Sequence, residues 1–267
     1  MPNHIANTPM LPPSHVAFVE DPERPVLSHG RDLGAEASIE PHRHPRGQLL
    51  WAAEGVLRVT SERAVWIVPS SHAVWIPGGV DHHVVTETAA RTRNLYIDAA
   101  YPVRPEGNGL MLLLTPLMRE VILRLAEPAA PGDAMARKHL GLVAIDEIGR
   151  LRAAPLELPA GRDARLRRLV GLLVNHPHEA RTLGELAPLC GASLRTMERL
   201  FRAETGMTFR QWRSRLRLLG AIDLLAQGQS STTVAHSLGY GSASAFVAEF
   251  RQQFGAPPQT FARAVCA

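Results

Sequence analysis

At 267 residues the chain is long enough for two modest domains. Its 45% hydrophobic and 20% charged content is that of an ordinary soluble globular protein. The net charge of +4 hides an asymmetry: residues 1–159 hold 15 Lys/Arg against 18 Asp/Glu, whereas residues 160–267 hold 14 against 7, so the C-terminal part is basic and suited to a polyanion.

Residues 1–35 carry Pro2, Pro9, Pro12, Pro13, Pro22 and Pro25 with no apolar core of a secretion signal. They read as a flexible lead-in. From 36 to 105 short segments such as "QLLWAA", "GVLRVT", "AVWIVP", "AVWIPG", "HHVVT" and "RNLYID" recur between Gly, Pro and Ser. That spacing predicts a small all-β sandwich or barrel. Inside it, "PHRHPRGQ" sets His42 and His44 one residue apart. In a strand two such imidazoles share a face and can meet one ion or one ligand.

From Leu110 the period turns helical in "LMLLLTPLMREVILRLAE" and "DAMARKHLGLVAIDEIGRL". Residues 106–153 therefore read as a helical packing or dimerisation segment. "AAPLELPAGRDA" makes 154–164 a linker. The longest apolar run, at Leu110, is too short to span a bilayer, and the free-standing pair Cys190 and Cys266 fits a reducing compartment. The expected location is the cytoplasm, with no membrane partner.

Residues 165–267 contain a duplication. "GASLRTMERLFRAETG" and "GYGSASAFVAEFRQQFG" align at a 49-residue offset with one extra residue in the second turn. Ser193 then matches Ser242, Met197 matches Phe246, Phe201 matches Phe250, Arg202 matches Arg251 and Gly206 matches Gly255. Thr182 and Glu185 make a capping box for the helix before the first copy, and Ser230 can cap the one before the second. Helix, glycine turn and capped helix are the helix-turn-helix plan. Leu194, Met197, Leu200 and Phe201 are expected to face the core, with Phe246, Phe250 and Phe254 in the second copy. The outer face of the first helix then carries Arg195, Thr196, Glu198 and Arg199 for base edges and Arg202 for phosphate. The second offers Ser242, Ala243, Ser244, Val247 and Arg251, small groups suited more to affinity than to base choice.

"RLFRAETGMTFRQW", "AIDLLAQG" and "SLGYGSASAFVAEFRQQFGAPPQTF" together resemble the double helix-turn-helix domain of the AraC/XylS transcription regulators. The "PHRHPRGQLLWAAEGVLRV…AVWIPGGVDHHV" block resembles the cupin sensor domain fused to it in one group of that family. The resemblance implies a bacterial regulator, often a homodimer, that binds double-stranded promoter or operator DNA, and RNA polymerase if it activates. It implies base contacts at Arg195, Thr196, Glu198 and Arg199, and at Ala243, Ser244 and Val247. Pro188 departs from the pattern by entering the first scaffold helix.

Metal-binding cupins pair an H-x-H with a glutamate and a later histidine. His42, His44 and His82 fit, but the glutamate position holds Gln48. The site can thus be a divalent-metal centre of His42, His44 and His82, or a metal-free effector pocket of His42, His44, Gln48, Trp51 and His82. His83, beside His82, reads as structural. A cupin metalloenzyme, a dioxygenase or isomerase with an accessory DNA-binding domain, is the alternative function. Gln48 and the absence of other catalytic motifs argue for a non-enzyme. The expected architecture is α+β: a cupin-like β-barrel, linker helices and an all-α double helix-turn-helix domain, controlled by a small-molecule effector.

Overall fold

The computed structural model describes residues 10–261 except 105, 106, 108, 131, 155, 156, 177, 178, 227 and 255. The chain divides into two compact units, Met1–Ser61 with Val68–Pro155, and Glu62–Ile67 with Leu156–Ala267. The strands are β1 (Val26–Leu33), β2 (Ser38–His42), β3 (Gly47–Leu50), β4 (Ala52–Glu54), β5 (Leu57–Ser61), β6 (Ala64–Val68), β7 (His72–Ile76), β8 (His82–Thr86), β9 (Ala90–Ile97), β10 (Leu110–Leu113) and β11 (Glu157–Pro159).

In the first unit one sheet has the order β1-β9-β3-β7-β10, with β4 also on β9, and the other holds β5-β8-β2. All pairs are antiparallel. The result is a two-sheet sandwich, not the single closed barrel expected. Alternation along β3 sorts its side chains by face. Leu49, with Trp51 just past the strand, joins Trp75, Leu95 and Ile97 in an apolar cluster with Met118, Val121, Ile122, Leu125, Ala144 and Ile148. Those last six come from helices α1 (Pro116–Ala126) and α2 (Ala134–Arg150), which cover that face of the sheet. Gln48 and Leu50 point the other way, into the space between the sheets.

Three segment boundaries differ from the sequence reading. Val26–Leu33, placed in the lead-in, is strand β1 and pairs with β9 from Val26↔Ile97 to Leu33↔Ala90. Its sequence "VLSHGRDL" lacks an apolar alternation, so only the partner strand makes it extended. Leu110–Leu113, read as the start of a helix, is strand β10 on β7. The helix begins at Pro116, in the first-turn position where a missing N–H costs nothing, and Thr115 Oγ1 accepts from Met118 N at 3.1 Å. The linker contains β11, which pairs with β6 within the second unit.

The second unit is otherwise helical: α3 (Ala164–Asn175), α4 (Leu183–Leu189), α5 (Leu194–Leu200), α6 (Phe209–Ala226), α7 (Ser231–Ser237) and α8 (Ala243–Phe254), with a π-helical turn at Phe201–Thr205. Thr182 and Glu185 form the reciprocal capping box of α4, which runs through Pro188 and ends one residue later. Ser193 and Ser230 each accept the amide three residues on, at 3.2 and 3.1 Å, and Ser242 does the same for Ala245 at 3.1 Å. The turns before α5 and α8 contain Gly191 and Gly239, at φ 75° and 76°. These are left-handed positions that favour glycine. Two capped helix pairs, α4–α5 and α7–α8, are thus joined by α6. Gly255, the repeat partner of Gly206, and Cys266 lie outside the described residues.

Met197, Leu200, Phe201, Phe246 and Phe250 are buried as the periodicity requires. Leu194 is not: it is 46% exposed. At the first helical position its side chain leans back past the helix end, beyond the buried turn formed by Met197, Leu200 and Phe201. Phe254 is half-buried and stacks on Phe250 and Phe261 at centroid distances of 4.4 and 5.4 Å.

Candidate nucleic-acid interface and sensor site

Burial of Met197, Leu200 and Phe201 on one side of α5 forces Arg195, Glu198, Arg199 and Arg202 to the other. All four are exposed, and Thr196 is half-exposed with its hydroxyl 2.9 Å from Ser193 Oγ. Among the described residues no side chain pairs with the guanidinium of Arg195, Arg199 or Arg202. Some other arginines of this unit are engaged, Arg165 by Asp163, Arg168 by the Cys190 carbonyl and Arg213 by the Arg181 carbonyl. Three free guanidinium forks on one helix face are donors awaiting acceptors outside the chain. On α8, Ser242, Ser244 and Arg251 are exposed, whereas Ala243 and Val247 are half-buried. That face carries one long polar side chain, so it has little reach toward base edges.

In the first unit β2 pairs with β8 in a register that sets His42 opposite His82. Ring centroids lie 4.3 Å apart for His42–His82, 5.1 Å for His44–His82 and 5.6 Å for His42–His44. One nitrogen from each ring lies within 4.8 Å of the others. His44, Gln48 and His82 are buried, at 3%, 3% and 2% exposure. Each ring turns Nδ1 to a backbone carbonyl: His42 to Glu40 at 2.7 Å, His44 to Arg46 at 2.7 Å and His82 to Val80 at 2.9 Å. His44 Nε2 and His82 Nε2 each lie 3.1 Å from Gln48 Oε1, and Gln48 Nε2 donates to the Tyr96 hydroxyl at 3.2 Å. Burial pushes all three imidazoles below their ordinary range, His82 to about 3, so the cluster is neutral near pH 7.

Trp51 does not belong to this site. It is three residues from Gln48, an odd separation that puts it on the helix-covered face, where Nε1 donates to the Ser70 carbonyl at 2.8 Å. His83 also points away and lies 2.8 Å from Ser38 Oγ. Instead, the cavity beside the cluster is lined by His42 and Gln48 with Arg31, Asn94, Tyr96 and Ser14 among others. Asn94 and Tyr96 sit at i and i+2 in "RNLYID", a same-face signal present in the sequence. Arg31 was hidden because β1 was. The cavity is tight, about 30 Å³. Residues before it cross its edge: Leu11 bridges Ile39, and Arg31 donates to the Pro12 carbonyl at 2.7 Å and the Pro13 carbonyl at 3.3 Å.

Comparison with known proteins agrees with both halves. Residues 29–101 match the AraC-like ligand binding domain and residues 186–264 a helix-turn-helix domain. The HTH-type transcriptional regulator NimR of Escherichia coli is 36% identical over 225 residues, 84% of this chain and 82% of that protein. The regulator RipA of Corynebacterium glutamicum is 38% identical over 104 residues, 39% of this chain and 31% of that protein. The structure of ToxT from Vibrio cholerae is a more distant likeness, with a TM-score of 0.40 and 9% identity over 91% of this chain and 99% of that one. These relatives are regulators, and the enzyme alternative has no support. No helix among the described residues is long and apolar enough to cross a membrane. With a ligand-binding unit at its N-terminal end and a duplicated helix-turn-helix after it, the chain belongs to the AraC family of DNA-binding transcription regulators.

Proposed function

We propose that this regulator reads its operator mainly through α5. Arg195, Thr196, Glu198 and Arg199 meet base edges, and Arg202 meets phosphate. Ser242, Ala243, Ser244, Val247 and Arg251 of α8 add backbone and apolar contacts. The observation that carries this reading is the unpaired state of Arg195, Arg199 and Arg202 on a face fixed by the burial of Met197 and Phe201. Selection of bound sequences from a random duplex pool by the full chain tests it. The expected result is a site with one strongly and one weakly specified half. Binding without any enriched sequence overturns the assignment.

The effector side of the proposal centres on the cavity lined by Arg31, His42, Gln48, Asn94 and Tyr96. At about 30 Å³ it holds little more than a water, so an organic effector enters by displacing the segment around Pro12 and Pro13. Such a ligand shifts the regulator only through unequal affinity for the two arrangements. Leu117, Met135, Leu142 and Val143 leave α1 and α2 with exposed apolar surface, 38–62% per residue, which supports a homodimer through these helices. RNA polymerase is the further partner if the protein activates, and the cytoplasm is where it meets its promoter.

A further inference from the structure

Three arginines form a stripe along α6. Arg210, Arg213 and Arg217 follow i, i+3, i+7, while Trp212, Leu219 and Ile222 are buried on the side turned to the core. The stripe walls a cleft of about 420 Å³, closed on its other side by Leu238, Gly239, Tyr240 and Gly241 of the turn before α8 and by Glu249 of α8. Three guanidinium groups thus share the cleft with one carboxylate, and Ser214 Oγ donates to that carboxylate. Glu179, the other acid that acts on Arg213, is paired with Arg181. The cleft is left with excess positive charge.

Arg213 is its anchor. Nη1 donates to the Arg181 carbonyl at 2.8 Å, and the guanidinium lies over the Phe209 ring, 5.5 Å from its centroid. Nε and Nη2 form the edge that grips a carboxylate or phosphate side-on. Both are buried and find no acceptor among the described residues. Burial and the neighbouring Arg217 cation weigh against the charged form of Arg213. A buried cation with unmet donors is costly, and an oxyanion in the cleft removes that cost.

We infer that this cleft binds a small organic oxyanion, a carboxylate or a phosphate monoester, held by Arg213 and Arg217 with Arg210 at the rim. The free edge of Arg213 is closed to solvent here, so the anion meets it as the side chain turns into the cleft. The volume is that of a small-molecule site, and Phe209 and Leu238 add apolar wall, which favours an organic body over bare phosphate. Backbone phosphate of DNA is the competing occupant. At 100° per residue, Glu249 stands about 140–200° around α8 from Ser244, Val247 and Arg251, so this wall lies on the flank away from the proposed reading contacts. A duplex is also too stiff and wide to carry a phosphate into a recess, whereas a free anion enters it. The inference goes beyond the operator and sensor readings and needs neither.

Calorimetric titration of the full chain, free of DNA and at constant ionic strength in chloride, uses succinate, phenyl phosphate and inorganic phosphate as probes. One of the two organic anions should bind saturably at one equivalent and more tightly than inorganic phosphate. Arg213→Gln and Arg217→Gln should each weaken it about tenfold or more. Glu249→Gln keeps an acceptor for Ser214, removes the one negative charge and should tighten binding about threefold. Circular dichroism confirms folding, and wild type with Glu249→Gln carries the test if an arginine variant unfolds. No saturable uptake of any probe by wild type overturns the site, as does binding that none of the three substitutions changes. Weaker binding of random duplex by Arg213→Gln and Arg217→Gln, with a lower salt slope and no anion uptake by wild type, would instead make these arginines backbone contacts.

Discussion

Arg46 Nη2 lies 2.9 Å from Asp98 Oδ2, and the two side chains are 1% and 7% exposed. The same guanidinium donates to the carbonyls of Val19, Asp21, Arg24 and Tyr96. It therefore ties the segment before β1 to the end of β9. Removing one partner strands the other charge in the interior. Asp98→Ala should cost about 3–5 kcal/mol of the sensor unit's stability, read as a lowered urea midpoint. A loss below about 1 kcal/mol would mean that the carbonyls alone satisfy Arg46.

The α5 arginines should separate by role. Arg195→Ala and Arg199→Ala are each expected to cost about 1–3 kcal/mol on the operator and to relax its sequence preference. Arg202→Ala should weaken specific and random DNA alike and reduce the salt slope by about 1. Fluorescence anisotropy at several salt concentrations measures both. Equal weakening on the two DNAs by Arg195→Ala would remove it from base reading.

Two glycines should respond oppositely to alanine. A Cβ at Gly78 would stand 2.1 Å from the Pro45 carbonyl oxygen, a backbone atom that cannot swing aside. The adjacent Gly79 N–H bonds the His44 carbonyl at 2.8 Å, so the strain reaches the histidine cluster. Gly78→Ala should lose about 1–3 kcal/mol or more. Gly149, in α2, has nothing within 4 Å of the added carbon, and Gly149→Ala should gain about 0.5–1 kcal/mol. Thermal melts of the pair decide; a neutral Gly78→Ala would show that the loop yields.

His72 supplies a pH dependence of stability. It is buried at the start of β7, 2.7 Å from Ser71 Oγ, and burial with the nearby Arg119 cation pushes its pKa to about 4. The unfolded chain, titrating near 6.5, binds the proton first as pH falls. Stability is therefore full above about 6.5 and is lost as pH drops toward 4. Relative to pH 7.5, the loss at pH 5 is about 2 kcal/mol from this residue. The unfolding free energy of wild type relative to His72→Gln, from urea titrations, should fall by that amount as pH is lowered. A gap that stays constant between the two pH values would place the acid sensitivity elsewhere.

The second unit was almost wholly legible in the sequence because its signals are local. Caps act over three residues and the burial of Met197, Phe201, Phe246 and Phe250 over one helix face, so adjacent text specifies both. Leu194 escaped because being at the helix start, not its place in the period, decides its exposure. The sensor site was legible only in its parts. His42, His44, Gln48 and His82 stand out as residues, and strand parity alone was enough to send Trp51 to the opposite face. Their meeting required the His42↔His82 register between strands some forty residues apart, and β1 became a strand only through β9. The sequence by itself determined the duplicated reading helices and their arginine face, since helix periodicity is a property of neighbouring residues. Tertiary structure alone decided which polar groups share the sensor cavity, because antiparallel register joins residues that no local pattern links.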